Sequence, residues 1–502
     1  MAGSVEVRSA VTGEAQKIAR LLRSHLTLGQ LLEDLIVLAT GQFLSKVLGF
    51  FAFAYLARKL SIGDYGAVET AVGMAAIGAV AIQLGTDAIG VRHIVQRDRP
   101  RETVLGSVIG AQFAIAAILA PALVTVYIAA SGKTEYSALF WMFGASLLLI
   151  PLKQAWFFQS QEKMGVAGFG QTLKMGIFLL AVLMLTDDGR MKAVDVGVAE
   201  IVAVAAMVGW FSALSLKTIE PARPRFDARY CGQILIESAP LGGSGLVNTT
   251  AQYLPILIVA ALSDNQATAN FGAAQRLYLS LLMFSFIYYF NLYPSIARLV
   301  REEKEKLRTI ISASVRVTAW AGVAAALLLQ SMATPIMSFV FGGKLAGAGA
   351  AFAIMVWSLP LTLGSGNARW LLVASKRQNA LFLAQCIGAA VTVGVGYLLA
   401  QKSGAVGAAW GVVAGAAALW VSSHLATAGL EVRASLAPAV LPAGVAAGYA
   451  VLFWLWSPPN AILAGMITAL GLAVAIGVDR EFWRALRVLA AAKSRDESPI
   501  KA

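Results

Sequence analysis

Charge is scarce in this sequence. Asp, Glu, Lys and Arg make up 13% of its 502 residues, about half the usual share, while 58% are hydrophobic and mean hydropathy is +0.72. A water-soluble fold of that composition would leave too much apolar surface uncovered, so this is an integral membrane protein. Cysteine is nearly absent: Cys231 and Cys386 show no metal spacing and sit near or within apolar stretches, which excludes a metal finger and argues against a structural disulfide. Only three histidines occur, His25, His93 and His424; they are scattered, form no HExxH, and are expected to be surface residues on one side of the membrane. No GxxxxGK[ST] loop is present, so the chain carries no ATP-binding domain, and Gly242-Gly243-Ser244-Gly245 lacks the spacing of a GxSxG elbow. The longest segments between apolar runs, 217–232 and 298–308, are too short for a folded domain. No enzyme chemistry and no cofactor are therefore expected.

Long apolar runs fill the rest. We expect about 14 transmembrane helices in an all-α polytopic fold, at 34–60, 66–90, 103–130, 138–160, 164–186, 193–216, 233–262, 268–297, 309–331, 350–375, 379–400, 404–428, 434–456 and 459–479. A net charge of +13 would suggest nucleic acid in a soluble protein; here its distribution gives topology instead. With the N-terminus inside, 27 of the 40 basic residues fall on the cytoplasmic side and 7 on the other, among them Arg58, Lys59, Lys133, Arg190 and Lys344. Both termini are thus expected in the cytoplasm. Residues 1–33 are too polar for a signal peptide; Ile18, Leu21, Leu22 and Leu28 recur at helical spacing beside Lys17, Arg20 and Arg23, which predicts an amphipathic helix on the inner leaflet.

An internal repeat is visible. Tyr65-Gly66-Ala67 opens the second span and Phe271-Gly272-Ala273 the eighth, 206 residues on, and Arg92 and Arg298 close those spans at the same offset. The fourth and tenth spans share Pro-Leu (Pro151-Leu152 and Pro360-Leu361), a later tryptophan and a basic exit. Six spans separate the partners, so the copies run parallel. The organisation expected is a cytoplasmic segment (1–33), an N-lobe of spans one to six (34–216), a cytoplasmic linker (217–232), a C-lobe of spans seven to twelve (233–430), an extra helix pair (431–479) and a cytoplasmic tail (480–502).

Polar residues within spans are expensive and face a bundle interior or a wet cavity. They form stripes: Gln42 and Lys46; Glu69, Gln83 and Asp87; Lys153 and Gln154; Gln171 and Lys174; Glu237, Ser244, Asn248 and Gln252; Arg276, Ser280, Tyr288 and Asn291; Thr362, Ser365 and Arg369. Together they suggest one hydrated cavity at the lobe interface. Within spans, six cations (Lys46, Lys153, Lys174, Arg276, Arg316, Arg369) stand against four acids (Glu69, Asp87, Glu200, Glu237), an excess that attracts anions, phosphate above all. The alternative is that these cations pair with those acids or snorkel, and snorkelling is the expectation for Arg316, near the end of its span. The substrate-lining set expected is Lys46, Arg58, Lys153, Lys174, Arg276, Arg369, Gln42, Asn248 and Gln252, with Lys46, Arg276 and Arg369 capturing phosphate. Glu69, Asp87 and Glu237 are expected to balance charge or bind a coupling ion. Pro240, Gly242, Gly243, Gly245 and Pro255 in the seventh span, and Pro360, Gly364 and Gly366 in the tenth, mark hinges, unwound segments or close helix packing.

The run Lys46 to Asp64-Tyr65-Gly66, the exit from Gly85 to Arg92, the connector Gln159-Ser160-Gln161-Glu162-Lys163, the second copy from Pro240 to Arg298, and Gly404-Ala405-Val406-Gly407-Ala408-Ala409 resemble the polysaccharide transporter branch of the MOP exporter superfamily, which includes Wzx-type flippases. The resemblance covers about 34 to 430. It implies two six-helix lobes around a central cavity, and alternating access. It implies translocation of a polyprenyl-diphosphate-linked oligosaccharide repeat unit across the bacterial inner membrane for exopolysaccharide, capsule or O-antigen synthesis, with Na⁺ or H⁺ and other polysaccharide assembly proteins as possible partners and no nucleic acid. Many members of that branch have twelve spans, so the last two depart from its commonest layout. The alternatives are a lipid-linked peptidoglycan precursor flippase and a cation-coupled multidrug or small-molecule antiporter; the cation excess argues against the antiporter. The charge split predicts that cysteines at Lys133, Arg190 and Lys344 react with an impermeant thiol reagent outside intact cells, while those at Arg99, Arg223 and Lys304 do not; the reverse pattern would invert the orientation.

Overall fold

The computed structural model describes residues 28–185, 191–218, 225–455 and 460–497. The amphipathic segment expected before residue 34 lies almost wholly outside them, as do Arg190, Arg223 and His25. Among the described residues all regular structure is helical. The first half comprises α1 (Leu28–Lys59), α2 (Ile62–Gln83), α3 (Thr86–Gln96), α4 (Arg101–Ser131), α5 (Ser137–Leu147), α6 (Ala155–Gln159), α7 (Met164–Met184) and α8 (Ala193–Thr218). The second comprises α9 (Ala228–Leu262), α10 (Asn265–Glu302), α11 (Lys304–Ser331), α12 (Ala333–Phe341), α13 (Ala348–Met355), α14 (Ser358–Ala374) and α15 (Gln378–Ala426). Then come α16 (Val440–Leu455), α17 (Ala461–Val478) and α18 (Arg480–Glu497).

Eleven helical segments among the described residues are long and apolar enough to cross a membrane, three of them formed by consecutive helices: α2 with α3, α5 with α6, and α13 with α14. One of them, α15, is two spans in one: Ser403 and Gly404 leave the helix, and Gly404 takes φ 51°, ψ −123°, a region that side chains with a Cβ avoid. Counting α15 twice and adding α1 and the shorter apolar helix Ala437–Phe453 recovers the fourteen expected.

The repeat shows in the breaks. The fourth span is interrupted between α5 and α6, with Pro151 in a short 3₁₀ turn, and the tenth between α13 and α14, just before Pro360. Proline lacks the N–H that a continuous helix needs at these points. The seventh span behaves otherwise: α9 runs unbroken through Pro240 and Pro255, so the unwound segment considered there is not formed.

The two copies meet at their shared motif. A Cβ on Gly66 would lie 3.0 Å from the Asn265 carbonyl oxygen, and one on Gly272 would lie 2.7 Å from Cβ and Cγ of Glu69. Each glycine thus admits the other copy's helix at a distance no larger residue allows. The apolar core continues across this contact, with Tyr65, Phe140 and Phe178 of the first half joined to Phe271, Phe341 and Phe352 of the second.

The C-terminal helices are tied to α11 by an ion pair. Arg316 does not snorkel. It is buried, donates to both oxygens of Asp479 (2.8 and 2.7 Å), and reaches the Pro438 carbonyl at 3.1 Å, while Trp320 Nε1 donates to Asp479 at 2.7 Å. Asp479 also accepts the backbone N–H groups of Glu481 and Phe482 and so turns the chain from α17 into α18. Burial on its own would raise the Asp479 carboxyl, but the bonds from Arg316 and Trp320 outweigh it and hold it below the ordinary carboxylate range. A carboxyl depressed on folding adds stability above its unfolded pKa of ~3.9 and loses it as pH falls through the lower folded value. Asp479→Asn should therefore cost roughly 1 to 3 kcal/mol at neutral pH, because it removes the two-bonded partner of the buried Arg316 and leaves it only the exposed Glu481 carboxylate at 3.3 Å. The penalty should shrink below about pH 4 in detergent unfolding curves. An unchanged midpoint at neutral pH would remove the clamp.

Candidate functional site

Three polar clusters sit inside the bundle. The first joins the halves one turn beyond the shared glycines. Arg276 of α10 donates to both oxygens of Glu69 of α2, at 2.9 and 2.6 Å, and the Tyr65 hydroxyl adds a third bond at 2.7 Å. The Arg276 guanidinium carbon lies 3.4 Å from the Phe53 ring centroid. The side chains of Arg276 and Glu69 are 20% and 6% exposed. Arg276, expected as a free phosphate-capturing cation, has its charge engaged by a carboxylate.

The second cluster lies in the first half. The chain breaks at Leu84 and Gly85, both left-handed, and re-enters a helix that carries Asp87 inward. Asp87 accepts from Gln83 (3.1 Å) and Gln112 (2.7 Å), and Gln112 also donates to Thr86 Oγ1. Lys153 acts on Asp87 through its field and not through a bond. Lys174 pairs with Glu200 at 2.6 Å. At the same end Glu237 meets Arg92 and, at 3.0 Å, His93. His93 is a buried residue, contrary to expectation, with Nδ1 2.6 Å from the Tyr230 hydroxyl. His424 is likewise half-buried, with Nδ1 2.8 Å from the Trp420 carbonyl oxygen.

The third is a partly open cavity of about 410 Å³ between α9, α10, α14 and α15, lined by Asn248, Gln252, Tyr278, Tyr289, Thr362 and Arg369 among others. This cavity lies within the second half and not at the expected lobe interface. Arg369 Nη2 reaches the Thr362 carbonyl at 3.4 Å, its Nε is buried without a hydrogen-bond partner, and no acid pairs with it among the described residues. Of the nine lining residues expected, Asn248, Gln252 and Arg369 meet here; Lys46, Arg58, Lys153, Lys174, Arg276 and Gln42 do not line this space. Lys46 and Gln42 are exposed one turn apart on α1, and Lys46 has no bonding partner among the described residues.

Arg58 serves elsewhere. It donates to the carbonyls of Phe339 and, at 3.2 Å, Val340, while Lys344 Nζ reaches the Leu60 carbonyl at 2.5 Å and Lys133 Nζ the Asn265 side chain at 2.8 Å. These bonds draw the two halves together at the end of the bundle opposite Arg92. Burial pulls the Lys133 and Lys344 ammonium groups below their ordinary pKa; near Lys133, Glu135 and Asp264 act in the other direction. Sequence reasoning missed Tyr65, Tyr278, Tyr289 and Asp479 as polar participants. Tyr65 stood in the repeat motif and Tyr289 beside Tyr288 of a polar stripe, so helical spacing from Glu69 and Arg276 was the available signal.

Residues 31–300 match the family model described as "Polysaccharide biosynthesis protein". No curated protein matches the sequence. The fold is similar to that of a solved lipid II flippase MurJ in an inward closed conformation, at 14% identity and TM-score 0.72, covering 90% of this chain and 100% of that one. It is also similar to an inward-facing multidrug resistance MATE family transporter of the MOP superfamily, at 14% identity and TM-score 0.60, covering 87% and 96%. Likeness at that identity establishes the fold.

The bridge between halves predicts energetic coupling. In a cycle of Glu69→Ala, Arg276→Ala and the double variant, read by unfolding in detergent, each single change should cost more than its share. A coupling of about 2 kcal/mol or more is expected. Additive single effects would show that Glu69 and Arg276 do not hold the halves together.

Proposed function

We propose, because the chain belongs to the polysaccharide biosynthesis protein family, that it is a flippase carrying polyprenyl-diphosphate-linked oligosaccharide units across the bacterial inner membrane, with both termini in the cytoplasm. The observation that carries this reading is the family match over 31–300 in a multi-pass helical fold. The second-half cavity supports it chemically. Arg369 offers a guanidinium that no acid among the described residues occupies, and a phosphate accepts two parallel bonds from such a fork. Asn248, Gln252, Tyr278 and Tyr289 supply the amides and aromatic edges that suit sugar hydroxyls. Lys46, exposed on α1, is the second capture cation in this scheme, and the polyprenyl tail stays in lipid.

Alternating access follows from the contacts between halves. The bonds of Arg58, Lys133 and Lys344 close one end, and the substrate crosses when they part and the Arg92 end closes further. In this scheme Glu69 and Asp87 balance charge. The surplus of cations speaks against export of cationic drugs.

The test is flipping of a fluorescent polyprenyl-diphosphate oligosaccharide in proteoliposomes, beside efflux of a cationic dye. Arg369→Ala should slow flipping about ten-fold to a hundred-fold, as expected for losing one charge-assisted contact of roughly 1.5 to 3 kcal/mol. Arg369→Lys should restore part of the rate, and Arg369→Glu should be slower than alanine. Wild-type rates from both Arg369→Glu and Lys46→Glu would remove the cationic capture mechanism. Dye efflux without lipid flipping would replace the function itself.

A further inference from the structure

The C-terminal helices carry a groove that the transport reading leaves unused. Where α17 meets α18, a cleft of about 510 Å³ is lined by Leu441 of α16 and by Val474, Ala475 and Val478 of α17, with Asp479, Arg480 and Glu481 at its rim. Leu441, Val474 and Val478 are 45%, 60% and 75% exposed, so the cleft opens outward along a membrane span. Its acids are already engaged. Asp479 is held by Arg316 and Trp320, and Glu481 lies 3.3 Å from Arg316.

Arg480 is left at the rim, and Arg484 and Arg487 follow it at helical spacing on the exposed face of α18. Trp483, 48% exposed, lies among them. The opposite face, with Ala485, Val488 and Leu489, packs on α11 and the end of α10. A helix that leaves a span through a fixed turn, with arginines and a tryptophan outward, suits the headgroup region of a bilayer. The cleft beneath it is apolar and the rim above it cationic. That combination matches one molecule with an acyl chain and a phosphate.

We propose that this cleft and the Arg480, Arg484 and Arg487 face bind an anionic phospholipid, its chain against Val474 and Val478 and its headgroup on the arginines. The site is independent of the transported substrate. Charge complementarity selects the headgroup, and each arginine near an anionic surface adds a favourable increment.

The test uses the purified full-length protein in non-ionic detergent, titrated with phosphatidylglycerol or phosphatidylcholine of identical chains and read by native mass spectrometry. The wild type should retain phosphatidylglycerol preferentially. The triple variant R480Q/R484Q/R487Q should lose about ten-fold or more of that affinity, keep its affinity for phosphatidylcholine, and unfold at the wild-type temperature. A photoreactive acyl chain on phosphatidylglycerol should crosslink within 438–487. Equal retention of the two lipids, an unchanged triple variant, or crosslinks elsewhere would overturn the proposal. So would full competition by glycerol phosphate, which would indicate a site for free anions, or by a polyprenyl diphosphate, which would indicate a substrate site.

Discussion

The bond between Glu69 and Arg276 is the constraint on which the arrangement of the two halves depends. A carboxylate or guanidinium taken from water into hydrocarbon costs several kcal/mol, and that cost is offset only when geometry is good and the remaining bonding positions are filled. Here both conditions hold: two parallel bonds, a third from Tyr65, and the Phe53 ring beneath the guanidinium. The pair reaches across the junction because Gly66 and Gly272 bring the helices close enough. A repeat motif that looks like mere small-residue packing in the sequence is the reason two opposite charges can meet at this depth. Separating the halves along this line would expose both charges, so any movement between the halves must carry the pair along or hand its members to water.

The same physics recurs at the end of the chain. Spans thirteen and fourteen have no counterpart in the repeat, and apolar packing alone gives a helix pair in lipid little reason to choose one neighbour, since lipid tails are as apolar as the helix. Arg316 and Asp479 supply that reason. The arginine sits in α11 and the aspartate just past α17, so each is a costly isolated charge until the helices dock. Asp479 then also turns the chain into α18, which makes one side chain responsible for both the docking of the pair and the direction of the tail.

Much of the architecture was legible because a bilayer enforces it. Apolar run length and the parallel motifs at Tyr65 and Phe271 follow from constraints that local sequence must meet. The kink at Gly404 was legible too, since two runs of spanning length flank it. Side-chain partners were not. Helical periodicity placed Glu69 and Arg276 on inward stripes, but the stripe does not say whether the inward direction meets water or another helix. Pairing needs the rotation and depth of two helices at once. Arg316 illustrates the limit: position near a span's end predicts snorkelling, and only a distant acid, 163 residues on, redirects it inward. Pro240 and Pro255 illustrate it in the backbone, where packing against the first half keeps α9 continuous through residues that usually break a helix.

The composition nonetheless contained the final charge balance. Six cations against four acids within the spans leave an excess of two. In the structure Glu69 takes Arg276 and Glu200 takes Lys174, while Lys153 faces Asp87 through space. Glu237 turns to Arg92 and His93 near the membrane surface, and Arg316 finds Asp479 from outside the count, so those two exchanges cancel. Lys46 and Arg369 remain, one exposed on α1 and the other at a cavity wall with Nε unbonded. An unpaired cation in a low-dielectric interior persists only where water or an anion reaches it. Among the described residues, the four acids counted within the spans all serve to join helices, and Lys46 and Arg369 are the two counted cations that no described acid faces.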